Sequence, residues 1–369
     1  MASDNDPDPD ARLLARVEEI LAGYLDRRAR DAEAVHPCFA DAAAVLTRFV
    51  LRGGKRIRPT FAWWGWRGAG GDPSEADSPD NQAVLHAVSA LELVQAAALV
   101  HDDLMDDSDT RRGHPTVHLE FAGRHRAHGW SGPPERYGGA AAILLGDLAL
   151  AWADDMLNEA GLTEVTALRV RPVWAAMRTE MLGGQFLDSW CQASADETIE
   201  AALRVNRFKT AAYTVERPLQ LGAALAGAPS ELVAGYRRFG ADIGVAYQLR
   251  DDLLGVFGDP AVTGKPAGDD LREGKRTVLL ALALRSAREG GRGDAEAVLI
   301  AALGNPELDL VGVDRVRQAL RELGADAEVE QRIERLIESG LAALAAVDVV
   351  PPADSRLAEL AHAATRRRC

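Results

Sequence analysis

Two short aspartate runs have the residue types and spacing to do chemistry. His101-Asp102-Asp103-Leu104-Met105-Asp106-Asp107 follows directly on an apolar stretch, Glu92 to Val100. A helix running through it makes Asp102 and Asp106, and likewise Asp103 and Asp107, i,i+4 neighbours. Like charges about 4 Å apart repel by roughly 4 kcal/mol at an effective dielectric near 20, so the cluster needs a compensating cation. Oxygen-rich sites of this kind suit Mg²⁺, which keeps several waters and bridges carboxylates to phosphates; a solvated acidic helix end would have the same local sequence. A second pair, Asp251-Asp252 in the run Tyr247 to Gly255, also ends an apolar helix. Two acidic helix ends suggest facing walls of one cavity, able to hold two or three divalent ions around a diphosphate and make it a leaving group.

The cations point the same way. Of 42 basic residues only four are lysine, Lys55, Lys209, Lys265 and Lys275, so surface charge is carried by arginine and the compact ammonium is rare. Gly53-Gly54-Lys55-Arg56-Ile57-Arg58-Pro59 closes one helix with glycines and opens the next with proline in its first turn, exposing N–H groups and three cations at a helix N-terminus. Arg111-Arg112-Gly113 sets two guanidinium forks just beyond the first acidic run. Lys209 sits mid-helix before Thr210, while Lys265 and Lys275 flank a Gly-rich loop just after the second acidic pair.

These groups must be held by helices. Apolar residues recur at three- and four-residue spacing over 11–30, 37–52, 60–69, 82–107, 138–161, 163–190, 197–226, 230–257, 276–303, 312–323, 327–346 and 354–366, an all-α pattern in one large domain, 11–369. The blocks 92–101 and 140–150 are apolar on almost every face and are expected to be central helices. Residues 1–10 are acidic and Pro-containing and read as a disordered tail. A net charge of −14 argues against nucleic-acid and polybasic membrane-surface roles. No uninterrupted apolar run approaches the roughly 18 residues of a bilayer span. Cys38, Cys191 and Cys369 are scattered, odd in number and without CxxC spacing, which suits neither a disulfide framework nor a zinc site and fits a cytoplasmic protein.

Jointly, GGKRIRP at 53–59, DDLMD at 102–106 with Arg111-Arg112-Gly113, Lys209-Thr210, and Gln248 to Asp252 with the loop Gly264 to Lys275 resemble the trans-isoprenyl diphosphate synthases, which make farnesyl, geranylgeranyl and longer polyprenyl diphosphates. The elements occur in family order over roughly residues 37–280. The resemblance implies an all-α, isoprenoid synthase-type bundle around a central cavity, and head-to-tail elongation of an allylic diphosphate by isopentenyl diphosphate. It implies that Asp102, Asp103 and Asp106, with Asp251 and Asp252, hold Mg²⁺ against the allylic diphosphate. Arg111, Lys209 and Lys265 would grip that diphosphate, with Lys275 closing the loop over it, while Lys55, Arg58, Gln95 and Arg112 would bind isopentenyl diphosphate. Thr210 and Gln248 would aim oxygen dipoles at the developing cation. A homodimer is implied too.

Two departures from the family stand out. Gly255 replaces the third acid of the second motif, and Asp259 is four residues too far along to take its helical position, so that contact is expected to run through water or be omitted. Residues 122–136 read as an inserted surface loop. Ala98 and Ala97 lie about 6 and 7.5 Å below Asp102 at 1.5 Å per residue, so a tunnel there stays open beyond the fifteen-carbon stage, with Val94, Leu93 or Trp152 as its floor. A geranylgeranyl-type product is expected, with farnesyl or longer products as the alternative. A class I terpene cyclase fits less well, because Arg207 follows Asn206 where its second motif needs an acid and because GGKRIRP offers a second diphosphate site. An inactive regulatory subunit finds support only in Gly255.

Overall fold

The computed structural model describes residues 9–73, 79–258 and 267–365. Lys265, Asp259 and Arg366 to Arg368 fall outside them. In chain order the helices are α1 (Pro9–Val35), α2 (Pro37–Leu51), α3 (Ile57–Gly68), α4 (Pro79–Ser89) and α5 (Leu91–Met105). A two-stranded ribbon, β1 (Thr110–Arg111) and β2 (His114–Pro115), precedes α6 (Val117–His128), α7 (Pro134–Asn158) and α8 (Glu164–Ser194). Next come α9 (Ile199–Val205), a π-helical stretch (Asn206–Glu216), α10 (Arg217–Ala226) and α11 (Ser230–Phe257). The chain closes with α12 (Asp269–Arg272), α13 (Val278–Glu289), α14 (Gly293–Ala302), α15 (Leu310–Glu322), α16 (Ala325–Ala345) and α17 (Ala353–Thr365).

Several helices begin where a side chain accepts from the first free backbone N–H groups. Thr163, Thr198 and Thr277 cap α8, α9 and α13, and Asp309 caps α15 by accepting from Gly312 N at 2.7 Å. Apolar stripes then pack in three clusters. Leu21 and Leu25 of α1 join Leu46, Leu91 and Leu93 and parts of α6 to α8 in the first; α11 to α16 build the second around Leu249 and Leu282; Phe61, Trp64 and Phe239 anchor the third. Each fully buried Leu or Phe contributes about 1.5–3 kcal/mol relative to exposure. A cavity lies between the first two clusters, walled by α3, α5, α7, α8, the π-helical stretch, α11 and α12.

Sequence and structure differ in five places. Helix α1 starts at Pro9, and Asp10 is buried, accepting from Trp64 Nε1 at 2.7 Å and from Arg356 Nη2, so the last two residues of the expected 1–10 tail are helical. The expected loop 122–136 is largely helix: α6 runs to His128 and α7 starts at Pro134, because Phe121, Ala122 and His125 find a buried face. The expected central block 140–150 has an open side, with Ile143 and Leu144 exposed on α7. The expected helix 197–226 is interrupted by eleven residues of π-helix. The run 80–105 is apolar and long enough by composition to cross a bilayer, with mean hydropathy 1.8, but 78% of that window is buried among neighbouring helices.

Candidate active site

The cavity of about 940 Å³ brings together residues far apart in sequence: Asp102 from α5, Lys209 and Thr210 from the π-helical stretch, Gln248 and Asp251 from α11, and Asp270 and Lys275 beyond it. Close backbone approach fixes this arrangement. A Cβ on Gly184 of α8 would stand 2.1 Å from Lys209 N, and one on Gly244 of α11 would stand 2.6 Å from Ala211 Cα. Side-chain-free positions on two helices therefore grip the widened turn that carries Lys209 and Thr210. π-Helical turns are rare and frequent at functional sites because the extra residue re-aims side chains.

On the acidic wall, Asp102 and Asp106 hold the ammonium ions. Asp102 Oδ1 lies 2.8 Å from Lys209 Nζ, which also pairs with Asp188, and Asp106 Oδ2 lies 3.1 Å from Lys275 Nζ. Lys275 is held in addition by Glu273 at 2.5 Å and Asp270 at 3.4 Å. Asp103 and Asp252 do not share this role. Asp103 is fully buried, and its Oδ1 accepts from Arg111 Nε at 2.8 Å and from Arg111 Nη2. Asp252 is 4% exposed and turned toward the start of the π-helical stretch, accepting from Gln248 Nε2 at 2.8 Å and Asn206 Nδ2 at 3.3 Å. The structure thus makes these two aspartates, expected as metal ligands, the supports of Arg111 and Gln248. The reason is helical geometry: adjacent residues in a DD pair point about 100° apart, so only one of each pair faces the cavity.

Electrostatics follow from this packing. Burial alone would raise the Asp102 carboxyl, but Lys209, Lys275 and Arg111 hold it well below the usual carboxylate range. Asp106 is raised, by desolvation and by the charge of Asp102, against the pull of Lys275. Burial would lower both ammonium groups, yet the surrounding carboxylates raise Lys209 and Lys275 above the ordinary lysine value and keep them charged. Asp252 is pushed up to about 7 by desolvation, with Asp270 and Asp251 adding to it and Gln248 and Asn206 opposing.

The second anion site is built around the α2–α3 turn. Gly53 and Gly54 take φ of 82° and 133°, which lets Arg112 approach: its Nη1 donates to Gly53 O at 2.5 Å. Arg112 sits at the ribbon turn beside Gly113, both with positive φ. Burial and the neighbouring cations Arg56, Arg111 and Arg58, against the pull of Glu92, lower its pKa, the mark of a cationic pocket suited to an anion. Arg58 is buried, donating from Nη2 to Thr214 Oγ1 at 2.9 Å with its guanidinium 4.1 Å from the Tyr213 ring centre. Lys55 and Gln95 also line the cavity. Arg56 serves the fold instead: it donates to Glu92 at 2.6 Å and to Val50 O at 2.9 Å inside the core. Ala97 and Ala98 both line the cavity; Trp152 does not, being packed into the first core cluster, and Leu150 and Met181 line the cavity in its stead.

Asp188, Glu273, Tyr213 and Thr214 belong to the site, yet sequence reasoning missed them. Asp188 had one signal, an acid four residues after Gly184 on an otherwise apolar helix face. Among the described residues no three His, Cys, Asp or Glu side chains already stand together in coordinating geometry, since two ammonium ions lie between the carboxylates. The donor set nevertheless fits Mg²⁺. Asp102 Oδ1 and Asp106 Oδ2 are buried and make ion pairs without a well-directed hydrogen bond, so they retain lone pairs for a hard cation.

Comparison with known proteins agrees with this geometry. Residues 41–307 match the family model described as polyprenyl synthetase. The chain is 35% identical over 318 residues to the geranylgeranyl diphosphate synthase of Mycobacterium tuberculosis, covering 86% of this chain and 81% of that protein. It is 34% identical over 241 residues to the geranylfarnesyl diphosphate synthase of Aeropyrum pernix, covering 64% of this chain and 69% of that one. Among solved structures, the geranylgeranyl pyrophosphate synthase of Corynebacterium glutamicum, complexed with isoprenyl diphosphate and magnesium, superposes with a TM-score of 0.93 at 47% identity, covering 97% of this chain and 99% of that one. A two-walled acidic cavity, two cationic pockets and a match over most of the chain assign this protein to the polyprenyl synthetase family.

Proposed function

We propose that this prenyltransferase elongates an allylic diphosphate with isopentenyl diphosphate and releases geranylgeranyl diphosphate. The observation that carries the reading is the pair of separate cationic pockets opening on one cavity. Lys209, Arg111 and Lys275 stand at the acidic wall, and Lys55, Arg58 and Arg112 stand at the α2–α3 turn. A cyclising enzyme needs only the first.

The residues divide the chemistry. Asp102, Asp106 and Asp251 would hold Mg²⁺, two or three ions in all, which neutralises the diphosphate and makes it a leaving group. Lys209 and Arg111, themselves oriented by Asp188 and Asp103, grip the diphosphate as the bond from its oxygen to C1 of the allyl group breaks. Thr210 and Gln248 face the developing cation with fixed dipoles, a stabilisation that water could not give without quenching it. Lys55, Arg58 and Arg112 hold isopentenyl diphosphate so that its double bond attacks C1. A proton then leaves C2 of the new unit, and the released diphosphate is the base. Ala97 and Ala98 leave room for the growing chain along α5, which favours the twenty-carbon product.

We also propose a homodimer. Val165, Leu168, Phe186 and Trp190 of α8 join Ile143 and Leu144 of α7 as large exposed apolar side chains, a face a second copy would cover. A cytoplasmic site of action is in keeping with the free thiols Cys38 and Cys191. The test is purified protein with radiolabelled isopentenyl diphosphate, an allylic primer and Mg²⁺, followed by dephosphorylation and chromatography. A twenty-carbon alcohol is expected. Cyclic hydrocarbons or no turnover would overturn the reading.

A further inference from the structure

Gly255 stands four residues after Asp251, one turn along the same face of α11, where a third acid would complete the second aspartate cluster. That position is not empty of carboxylate. A Cβ built on Gly255 would meet Asp270 Oδ2 at 1.9 Å and Asp270 Cγ at 2.8 Å. A side chain at 255 would have to displace the Asp270 carboxylate, which fills the volume that such a side chain would take.

Asp270 is held in this place. It lies in α12, which follows Gly268 at φ 76°, and the chain folds back so that Lys275 N donates to Asp270 O at 3.0 Å. Asp270 lines the same cavity as Asp251 and Asp102. Across the cavity the Asp106 side chain is 4% exposed, and its Oδ2 has an ion pair but no directed hydrogen bond. One ammonium, Lys275 Nζ, spans the gap, 3.1 Å from Asp106 and 3.4 Å from Asp270. Carboxylates from both walls thus converge on a single cation position.

We propose that Asp270 is the third acid of the second cluster, supplied from α12 in place of residue 255, and that it faces the metal–diphosphate while Gly255 stays bare to admit it. The proposal rests on the diphosphate reading above and deepens it. It also replaces the expectation that this contact runs through water or is omitted.

The test is Mn²⁺ binding to the full chain in the presence of inorganic pyrophosphate, followed by electron paramagnetic resonance, with no turnover involved. Asp270→Asn is expected to weaken pyrophosphate-dependent Mn²⁺ binding at least tenfold. The transposed variant Gly255→Asp/Asp270→Gly is expected to recover it to within about threefold. In a Lys275→Met background Asp270→Asn is expected to cost a similar factor again, since the carboxylate faces the metal itself. Asp270→Ala carries the comparison if the amide fails to fold by circular dichroism. Wild-type-like binding by Asp270→Asn, no recovery on transposition, or no further loss in the Lys275→Met background would each overturn the assignment. Wild-type protein that takes up no Mn²⁺ with pyrophosphate would instead overturn the diphosphate reading itself, and the assignment with it.

Discussion

Ala98→Phe is the sharpest perturbation of product length. Ala98 lies four residues before Asp102, directly beneath it on the same face of α5, about 6 Å down at 1.5 Å per residue, and it lines the cavity. A phenyl ring there takes the volume that the fourth isoprene unit would fill. Burying that five-carbon unit is worth about 4 kcal/mol at roughly 0.8 kcal/mol per carbon. Forcing it past the ring adds about 1–3 kcal/mol of overpacking. At about 1.4 kcal/mol per decade, the sum disfavours the last condensation by a factor on the order of a thousand or more. Chromatography of dephosphorylated products should therefore move from twenty to fifteen carbons, while the rate of the first condensation stays within a few-fold of wild type. Ala97→Phe should shorten the product too, but Ala97 is packed into the core and that variant should also lose thermal stability. An unchanged product distribution in an active Ala98→Phe enzyme would refute a tunnel along α5.

Three further outcomes are expected. Gly184→Ala sets a Cβ against the Lys209 backbone, so α8 and the π-helical stretch must part; kcat should fall at least tenfold and Tm should drop, and a wild-type kcat would mean that the grip does not position Lys209. Arg58→Met removes a buried charge-assisted donor worth about 1.5–3 kcal/mol, so KM for isopentenyl diphosphate should rise roughly 10- to 100-fold with KM for the allylic primer nearly unchanged in steady-state assays. Tyr236→Phe should raise Tm: the Tyr236 hydroxyl is buried against Gly68 without a hydrogen-bond partner among the described residues, and removing it relieves a desolvation cost of about 1–3 kcal/mol.

What sequence could convey was local pattern. Asp102, Asp106, Asp251, Lys55, Arg58, Arg111, Arg112, Lys209 and Lys275 stand in short runs whose chemistry is legible residue by residue, and the fold brings all of them to the lining of one cavity except Asp106, which stands behind it paired with Lys275. The inward turn of Asp103 and Asp252 was not legible, because which member of a DD pair faces the cavity depends on the rotation of α5 and α11 against their neighbours. Asp188 and Asp270 were passed over for a related reason: each gains its role from a lysine or a glycine on another element, through contacts that no spacing encodes. The π-helical stretch carries no proline or glycine to mark its altered winding in the sequence, and its close approach to Gly184 and Gly244 is a tertiary contact that local pattern does not encode. The open face of α7 reads as core because Ile143 and Leu144 are apolar, and one chain alone does not bury them.

Chain elongation requires two diphosphate sites in one cavity. Isothermal titration of the protein with an unreactive thio-analogue of the allylic diphosphate and with isopentenyl diphosphate, each with and without Mg²⁺, tests this directly. One of each should bind per chain at the same time, with the allylic analogue dependent on Mg²⁺ and isopentenyl diphosphate retained by Lys55, Arg58 and Arg112 without it. Mutual competition for a single site would contradict the elongation reading.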